Sequence, residues 1–355
     1  MMNAQDILQK MEEIKAKNPK TYARNLAAEI GVSEGQLLAA QIGENITRLR
    51  PEMVEILENL EPLGKLMALT RNEYCVNERK GIYKDGKFFK NGKMTMGLFV
   101  DQDGIDLRLI MMHWKHVFAV EDPIKGNSSL QFFNKAGEAL HKIYLTDASD
   151  KEEYHALVKR FTSEDQTPGI SVEDMAPAPE NKDGSDVNWE KLRTEWEKLK
   201  DVHDFHSMLR KFKVGREQAF RRVGSDFAFE VDNVSSRMVL ELAKEKECPL
   251  MAFVGNKGCI GISTAIPNNL VEHGSWFNIL DPDYNLHLNE DGIARSWVTR
   301  KPTKDGIVTS LEVVDGEGNI IITFYGQRLE GQNERTAWRE IIDALPKKNM
   351  ADAAE

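Results

Sequence analysis

The chain repeats itself, and that duplication constrains its fold more than any other feature. Ser129-Leu-Gln-Phe-Phe-Asn-Lys-Ala-Gly-Glu138 lies over Ser310-Leu-Glu-Val-Val-Asp-Gly-Glu-Gly-Asn319, 181 positions later. The match continues through Ile143-Tyr144 and Phe324-Tyr325 at the same spacing. Asn72-x-x-Cys75 answers Asn256-x-x-Cys259 at a spacing of 184, and Val32-x-x-x-Gln36 answers Val214-x-x-x-Gln218 at 182. Asp106-Leu-Arg-Leu109 pairs with Asn285-Leu-His-Leu288 at 179. Small drifts in spacing are what insertions in loops between duplicated elements produce. Five matches in the same order indicate two copies of one module.

Residues 162–188 hold three prolines, two glycines and many acidic side chains with no periodicity, the composition of a linker. The expected organisation is a first repeat at 1–161, a linker at 162–188, a second repeat at 189–346 and a polar tail at 347–355. Each repeat opens with helices, at Ala4–Lys17, Tyr22–Ile30 and Glu34–Gly43 in the first and Trp189–Phe212 and Arg216–Val223 in the second. Short β-rich runs follow, among them Lys65–Thr70, Leu107–Met112, Ser129–Phe133 and Leu140–Leu145. Turn signals such as Asp85-Gly86, Asn91-Gly92 and Lys135-Ala-Gly137 separate the strands. A helix closes each copy, at Lys151–Phe161 and Glu334–Leu345. Helices before and after hairpin-linked strands predict an α+β fold with two antiparallel sheets, not a βαβ array. Two such modules related by a pseudo-twofold are expected to leave a cleft near the joining segment.

Bulk properties narrow the function. A formal charge of −10 repels nucleic acid and anionic membranes, so an anionic small ligand needs a local basic patch. The cysteines Cys75, Cys248 and Cys259 are few and lack metal-site spacing, against a disulfide framework or zinc site. The first twenty residues mix both charge signs without an apolar core, so no secretory signal is expected. No apolar run reaches spanning length. The expectation is a soluble cytoplasmic protein.

The candidates for chemistry cluster in the second repeat. Its opening helix carries an apolar stripe at Trp189, Leu192, Trp196, Leu199, Val202, Phe205, Leu209 and Phe212. His203 and His206, three apart, stand along the edge of that stripe on one side of the helix. An imidazole beside an apolar wall suits an iron whose flat ring packs on the wall. The plainer alternative is a helix-edge histidine with no ligand. Around the pair the charge reverses: Arg210, Lys211, Lys213, Arg216, Arg221 and Arg222 follow, then Arg295, Arg300, Lys301, Lys304 and Arg328. Such a concentration in an acidic chain suits a ligand with two carboxylates, which arginine grips in bidentate fashion. A solvated face is the bland reading of any single member.

Elsewhere the signals are weaker. Arg108 lies on the polar side of a strand-like run, facing solvent or an enclosed polar site. His113 and His116 flank Trp114 at a spacing that puts them on opposite faces of a strand, against a shared metal. His141 and His287 read as strand-surface positions. The stretch 27–44 has helix-turn-helix spacing, but its second helix carries glutamates and no arginine or lysine, the wrong charge for DNA. It is read as helix packing. Gly255-x-x-Gly258 has no following Lys-Ser/Thr, so no phosphate loop is expected. No nucleophile elbow or His-Glu-x-x-His is present.

Several runs together are specific: Leu69-Thr-Arg-Asn-Glu-Tyr74, Asp106-Leu-Arg-Leu109, Asp201-Val-His-Asp-Phe205, Phe253-Val-Gly-Asn-Lys-Gly-Cys259, Ala294-Arg-Ser-Trp-Val-Thr-Arg-Lys-Pro-Thr303 and Phe324-Tyr-Gly-Gln-Arg328-x-Glu-Gly331. Across both repeats the chain resembles the HemS/ChuS family of bacterial cytoplasmic haem-binding, haem-trafficking and haem-degrading proteins. The resemblance implies a saddle of two large antiparallel sheets holding one haem in a central cleft. It implies His203 as the proximal iron ligand and Arg108 as the distal arginine. Arg216, Lys301, Tyr325 and Arg328 match positions that contact the propionates or the distal water network. It also implies partners: an inner-membrane haem importer, and a haem oxygenase or reductase. The implied activity is oxidative haem degradation with release of iron; the alternative is a non-enzymatic carrier that delivers haem to a separate oxygenase.

Three positions depart from the family pattern. Some members carry a second haem-linked histidine where this chain has Asn77, so a second haem site in the first repeat is in question. Thr323 stands where some relatives have glutamine, and His206 where some have phenylalanine; His206 is a candidate alternate ligand during transfer.

Overall fold

The same succession of elements is built twice. In the first half it runs α1 (Ala4–Lys17), α2 (Ala23–Ile30), α3 (Glu34–Ala39), β1 (Ile46–Arg48), α4 (Met53–Glu58), β2 (Gly64–Arg71), β3 (Cys75–Gly81), β4 (Lys87–Asn91), β5 (Met94–Phe99), β6 (Asp106–Ile110), β7 (His116–Asp122), β8 (Asn127–Phe133), β9 (Ala139–Ser149) and α5 (Lys151–Phe161). The second half gives α6 (Trp189–Glu197), α7 (Asp204–Phe212), α8 (Arg216–Val223), β10 (Ala228–Val231), α9 (Ser235–Glu245), β11 (Leu250–Gly255), β12 (Cys259–Ala265), β13 (Leu270–His273), β14 (Trp276–Leu280), β15 (Tyr284–Asn289), β16 (Arg295–Thr303), β17 (Gly306–Val314), β18 (Ile320–Gly326) and α10 (Thr336–Asp343). This computed structural model describes residues 2–43, 45–92, 94–122, 127–175, 184–328 and 331–348. Residues 176–183 of the expected linker, 349–355 of the expected tail and Glu44 of the helix-turn-helix-like stretch lie outside them.

The strands form two large antiparallel sheets, as the hairpin signals predict. The chain divides into two units: Met1–Arg71, Glu78–Ala176 and Asn256–Gly261 in the first, Asn72–Asn77, Pro177–Gly255 and Ile262–Glu355 in the second. Within the first unit the strands run β1-β7-β8-β9-β2 and β4-β5-β6. Within the second they run β10-β16-β17-β18-β11 and β13-β14-β15, the same order. The first core gathers Leu66, Leu109, Val117, Phe132, Tyr154 and Phe161 from strands and α5. The second gathers Leu250, Ile279, Leu286, Leu311, Phe324 and Trp338 from strands and α10. β17 is buried without alternation from Val308 to Val314, so both of its faces are covered.

The expected single helix over Trp189–Phe212 is broken. α6 ends at Glu197 and α7 begins at Asp204. Its apolar periodicity survives, since Leu192, Trp196, Leu199, Phe205 and Leu209 are all buried. The helical hydrogen-bond ladder does not. The Lys304 N–H takes the Lys200 carbonyl at 3.0 Å, and the Asp201 carboxylate caps the next turn by accepting from the His203 N–H at 2.9 Å. A stripe records which side chains face the core and is silent on a break between turns.

Candidate functional site

The break in the helix is what presents His203. It occupies the N-cap of α7, its backbone at φ −68° and ψ −25°, and its side chain is 85% exposed. Asp201 Oδ1 lies 2.6 Å from its Nδ1. The backbone N–H of His203, first, and then its ring hold the Asp201 carboxyl below the usual range. An ionised carboxylate only accepts, so Nδ1 carries a proton, and the neutral ring presents its lone pair at Nε2. Among the described residues no group hydrogen-bonds Nε2. Behind the loop Phe205 stacks edge-on against Trp196 at 4.7 Å and lies near Phe220 at 6.4 Å, a rigid aromatic floor.

The first turn of α7 also meets the cations. Arg216, at the start of α8, places its guanidinium 5.4 Å from the Phe205 ring centre and Nη2 3.0 Å from His206 Nε2. Arginine only donates, so His206 accepts through Nε2. Burial of its inner edge, then the Arg216 charge, pushes this imidazole down to about 4. Its outer edge is exposed. His206 is thus neutral near pH 7 with its Nε2 engaged. It is three residues from His203 and differently used.

Arg216 Nη1 reaches Glu312 Oε2 at 2.9 Å. The other oxygen of that carboxylate accepts from Lys301 Nζ at 2.6 Å and from the Thr299 hydroxyl at 3.0 Å. Lys301 is 2% exposed, and its ammonium sits 4.8 Å from the Phe205 ring centre. Burial would raise Glu312, but Arg216, Lys301 and the hydrogen bonds outweigh it and hold the carboxyl at about 2. Burial pushes Lys301 down, and Glu312 opposes it. Tyr325, pushed up to about 12 by burial and then by Glu312, pairs in register with Ser310 and packs against Phe253 at 5.0 Å. Arg328 Nη1 is buried without a hydrogen-bond partner among the described residues.

So the second unit gathers Arg216, Lys301, Tyr325 and His206 around one buried carboxylate. Other members of the basic run are spent elsewhere, Arg295 and Arg221 on Glu217 and Lys211 on Glu195. Two residues that shape the site escaped the sequence reading. Asp201 was signalled only by its place two before a histidine. Glu312 was signalled by a lone charge inside an otherwise apolar strand.

The first unit is different chemically. Arg108 on β6 is 29% exposed, ion-paired with Asp106, and donates to the Phe99 carbonyl at 3.3 Å. Burial pushes Asp106 up, against the pull of Arg108. At the start of α3 the repeat position of Arg216 is Glu34, half-buried, with its carboxylate ion-paired to Lys142 and Arg71. His141 corrects its reading as a surface position. It is buried, bonded to the Tyr83 hydroxyl at 2.8 Å and the Thr70 hydroxyl at 3.1 Å, and burial pushes it down to about 3. β9 is covered on both faces from Leu140 to Ile143, so alternation misleads there. His113 lies in a 3-10 turn rather than a strand, and His287 bonds Asn278 at 2.7 Å. Two cavities of about 320 and 200 Å³ lie in this unit, and neither is lined by a candidate named above for ligand binding.

A carboxylate-held imidazole with its second nitrogen open is how proteins present histidine to a metal, and paired cations are how they hold carboxylates. Fold and site together define a duplicated α+β protein that carries an exposed, carboxylate-held imidazole and a buried cluster of cations around one carboxylate. The chain belongs to the haemin-degrading HemS/ChuX domain family, whose model matches residues 31–161 and 213–345, one match per repeat. It is 38% identical to the hemin transport protein HemS of Yersinia enterocolitica over 350 residues, 98% of this chain and 99% of that one. The structure of holo-PhuS, a heme-binding protein from Pseudomonas aeruginosa, superposes with a TM-score of 0.94 at 39% identity, covering 98% of this chain and all of that one. The heme degrading enzyme ChuS of Escherichia coli O157:H7 gives 0.89 at 35%, covering 97% and 100%.

Proposed function

We propose that this chain binds haem through His203 Nε2 and serves haem-iron acquisition in the cytoplasm, trafficking haem and opening it oxidatively to release iron. The observation that carries the reading is the His203–Asp201 pair, an imidazole oriented at one nitrogen and open at the other. Relatives similar over nearly all of the chain are a hemin transport protein, a heme-binding protein and a heme degrading enzyme. The residues present fit the group. Arg216, Tyr325 and Arg328 would receive the propionates or order water near them, with the buried Lys301 adding a positive charge behind them, and Arg108 enters from the family resemblance as a further ligand contact. Haem supplies the redox chemistry, and the protein supplies orientation, charge and shelter from water. An inner-membrane haem importer upstream, and a reductase or a separate oxygenase downstream, are the partners this role requires.

Haem titration followed at the Soret band tests the ligand. His203→Ala is expected to shift the ferric spectrum and weaken retention, and His206→Ala to do so less. Equal effects would sink the choice of His203. The degrading role is tested by adding ascorbate with catalase in air to the loaded protein. Loss of the Soret band with a defined bilin product supports it; a stable band leaves the carrier role.

A further inference from the structure

We infer that Glu312 is a positioning residue of the haem site, keeping Lys301 cationic and aiming Arg216, so that the site selects porphyrins with free carboxylates. The inference rests on the haem reading above and adds a determinant of which porphyrin the site accepts.

The geometry is that of one anion organising two cations. Glu312 lies on β17, fully buried, and accepts from Lys301 at 2.6 Å, Arg216 at 2.9 Å, Thr299 at 3.0 Å and Ser310 at 3.2 Å. Lys301 donates to Glu312, to Thr299 at 2.6 Å and to Ser310 at 3.4 Å, which accounts for all three ammonium hydrogens. A buried carboxylate or ammonium alone would neutralise itself rather than stay charged. Glu312 favours the charged form of Lys301, while Arg216 and then Lys301 favour the charged form of Glu312. The groups facing Lys301 are Glu312 and Ser310 from β17, Thr299 from its own strand, Arg216 from α8, Phe205 and His206 from α7, and Tyr325 from β18. Glu312 is the one anion among them.

Arg216 is oriented by the same carboxylate. One guanidinium nitrogen is on Glu312, the other on His206, and its face is over Phe205. Two of its five N–H groups are engaged in these bonds, and its side chain is 18% exposed, so donors remain to meet a carboxylate. The three charges sum to one positive charge, and the same sum remains when both buried charges are removed, so the preference is set by how Glu312 aims Arg216 rather than by net charge. Nothing in this arrangement helps a neutral ester.

The test compares haem with the iron porphyrin dimethyl ester, each titrated into wild type, Glu312→Gln and the double variant Glu312→Gln/Lys301→Met. Wild type is expected to prefer the diacid by about tenfold or more, the scale of hydrogen bonds to charged groups. Glu312→Gln loses most of that preference by weakening the diacid while ester affinity is kept. Its diacid affinity also falls as pH rises, because Lys301 without its counter-ion sheds its proton. The double variant removes both buried charges, so it folds where the single variant fails. It shows the same lost preference without the pH dependence. A preference that persists in both variants, equal losses for diacid and ester, or a wild type indifferent to esterification overturns the inference and leaves haem binding standing. A wild type that takes up neither porphyrin overturns the haem reading and this inference with it.

Discussion

Asp201 and His203 are two residues apart, yet the bond between their side chains decides what the histidine can do. The carboxylate fixes the Nδ1–H tautomer and raises the basicity of Nε2. Asp201→Asn keeps the shape and removes the charge, so the ring gains freedom and loses donor strength. Retention of haem is expected to fall about 10–100-fold, the usual effect of deleting a partner of a metal-bound histidine. Haem transfer to excess apomyoglobin measures it as a rate. No change in that rate would mean that the bond seen here does not orient the ligand. The neighbouring His206 obeys different physics. With Arg216 replaced by Met, the guanidinium charge on it is lost, and its imidazole is expected to titrate higher than about 4, by NMR, while burial still holds it below its usual value.

At the scale of elements, the duplication was legible because repeats preserve turn chemistry as well as hydrophobic pattern. Ser33 begins α3 in a capping box closed by Gln36, and at the start of α8 Gln218 reaches back in the same way to accept from the Gly215 N–H, the two glutamines that align in the repeat. α1, α5 and α8 have the limits their periodicity predicts. α4 escaped notice because six residues give less than two turns of period. α9 escaped because Val234 makes no side-chain cap and Ser235 and Ser236 are buried, so no start signal is written. The break before α7 depends on the Lys304 N–H and Lys200, distant in sequence, which local pattern cannot encode. The paired Asn-x-x-Cys motifs, visible as repeats, turn out to be clasps. Asn256 accepts from the Gly258 and Cys259 N–H groups and donates to the Arg71 and Leu140 carbonyls, all at 2.8–3.0 Å. Asn72 does the same with Tyr74, Cys75, Gly255 and Ile321. Either Asn→Ala leaves two carbonyls and two N–H groups short of a partner. A cost of about 2–4 kcal/mol is expected, read as a lower urea midpoint at unchanged slope. A loss under about 0.5 kcal/mol would class them as ordinary surface positions.

For the whole molecule, the two units carry separate cores, and each has an ion-paired glutamate drawn into its interior, Glu34 in the first and Glu312 in the second. Both are held below the ordinary glutamate value. A depressed carboxyl stabilises the fold fully above its unfolded value near 4.5, and that contribution disappears as pH falls toward the folded value, about 2 for Glu312. Acid unfolding is therefore expected between these limits, and Glu312→Gln is expected to flatten stability against pH there. Ligand linkage supplies the complementary test. A molecule that binds only folded protein stabilises it by about 2.7 kcal/mol at a hundred times its dissociation constant. Calorimetry of apo and haem-loaded protein should therefore show an upward shift in the unfolding transition. His203→Ala should abolish most of that shift, because the axial bond is the interaction that this side chain alone provides. The apo transition should stay where it is, since an exposed N-cap histidine with no cap bond contributes little to stability. If haem raises the transition of the variant as much as that of wild type, the iron is held elsewhere, and the carboxylate-oriented imidazole is a surface feature of α7.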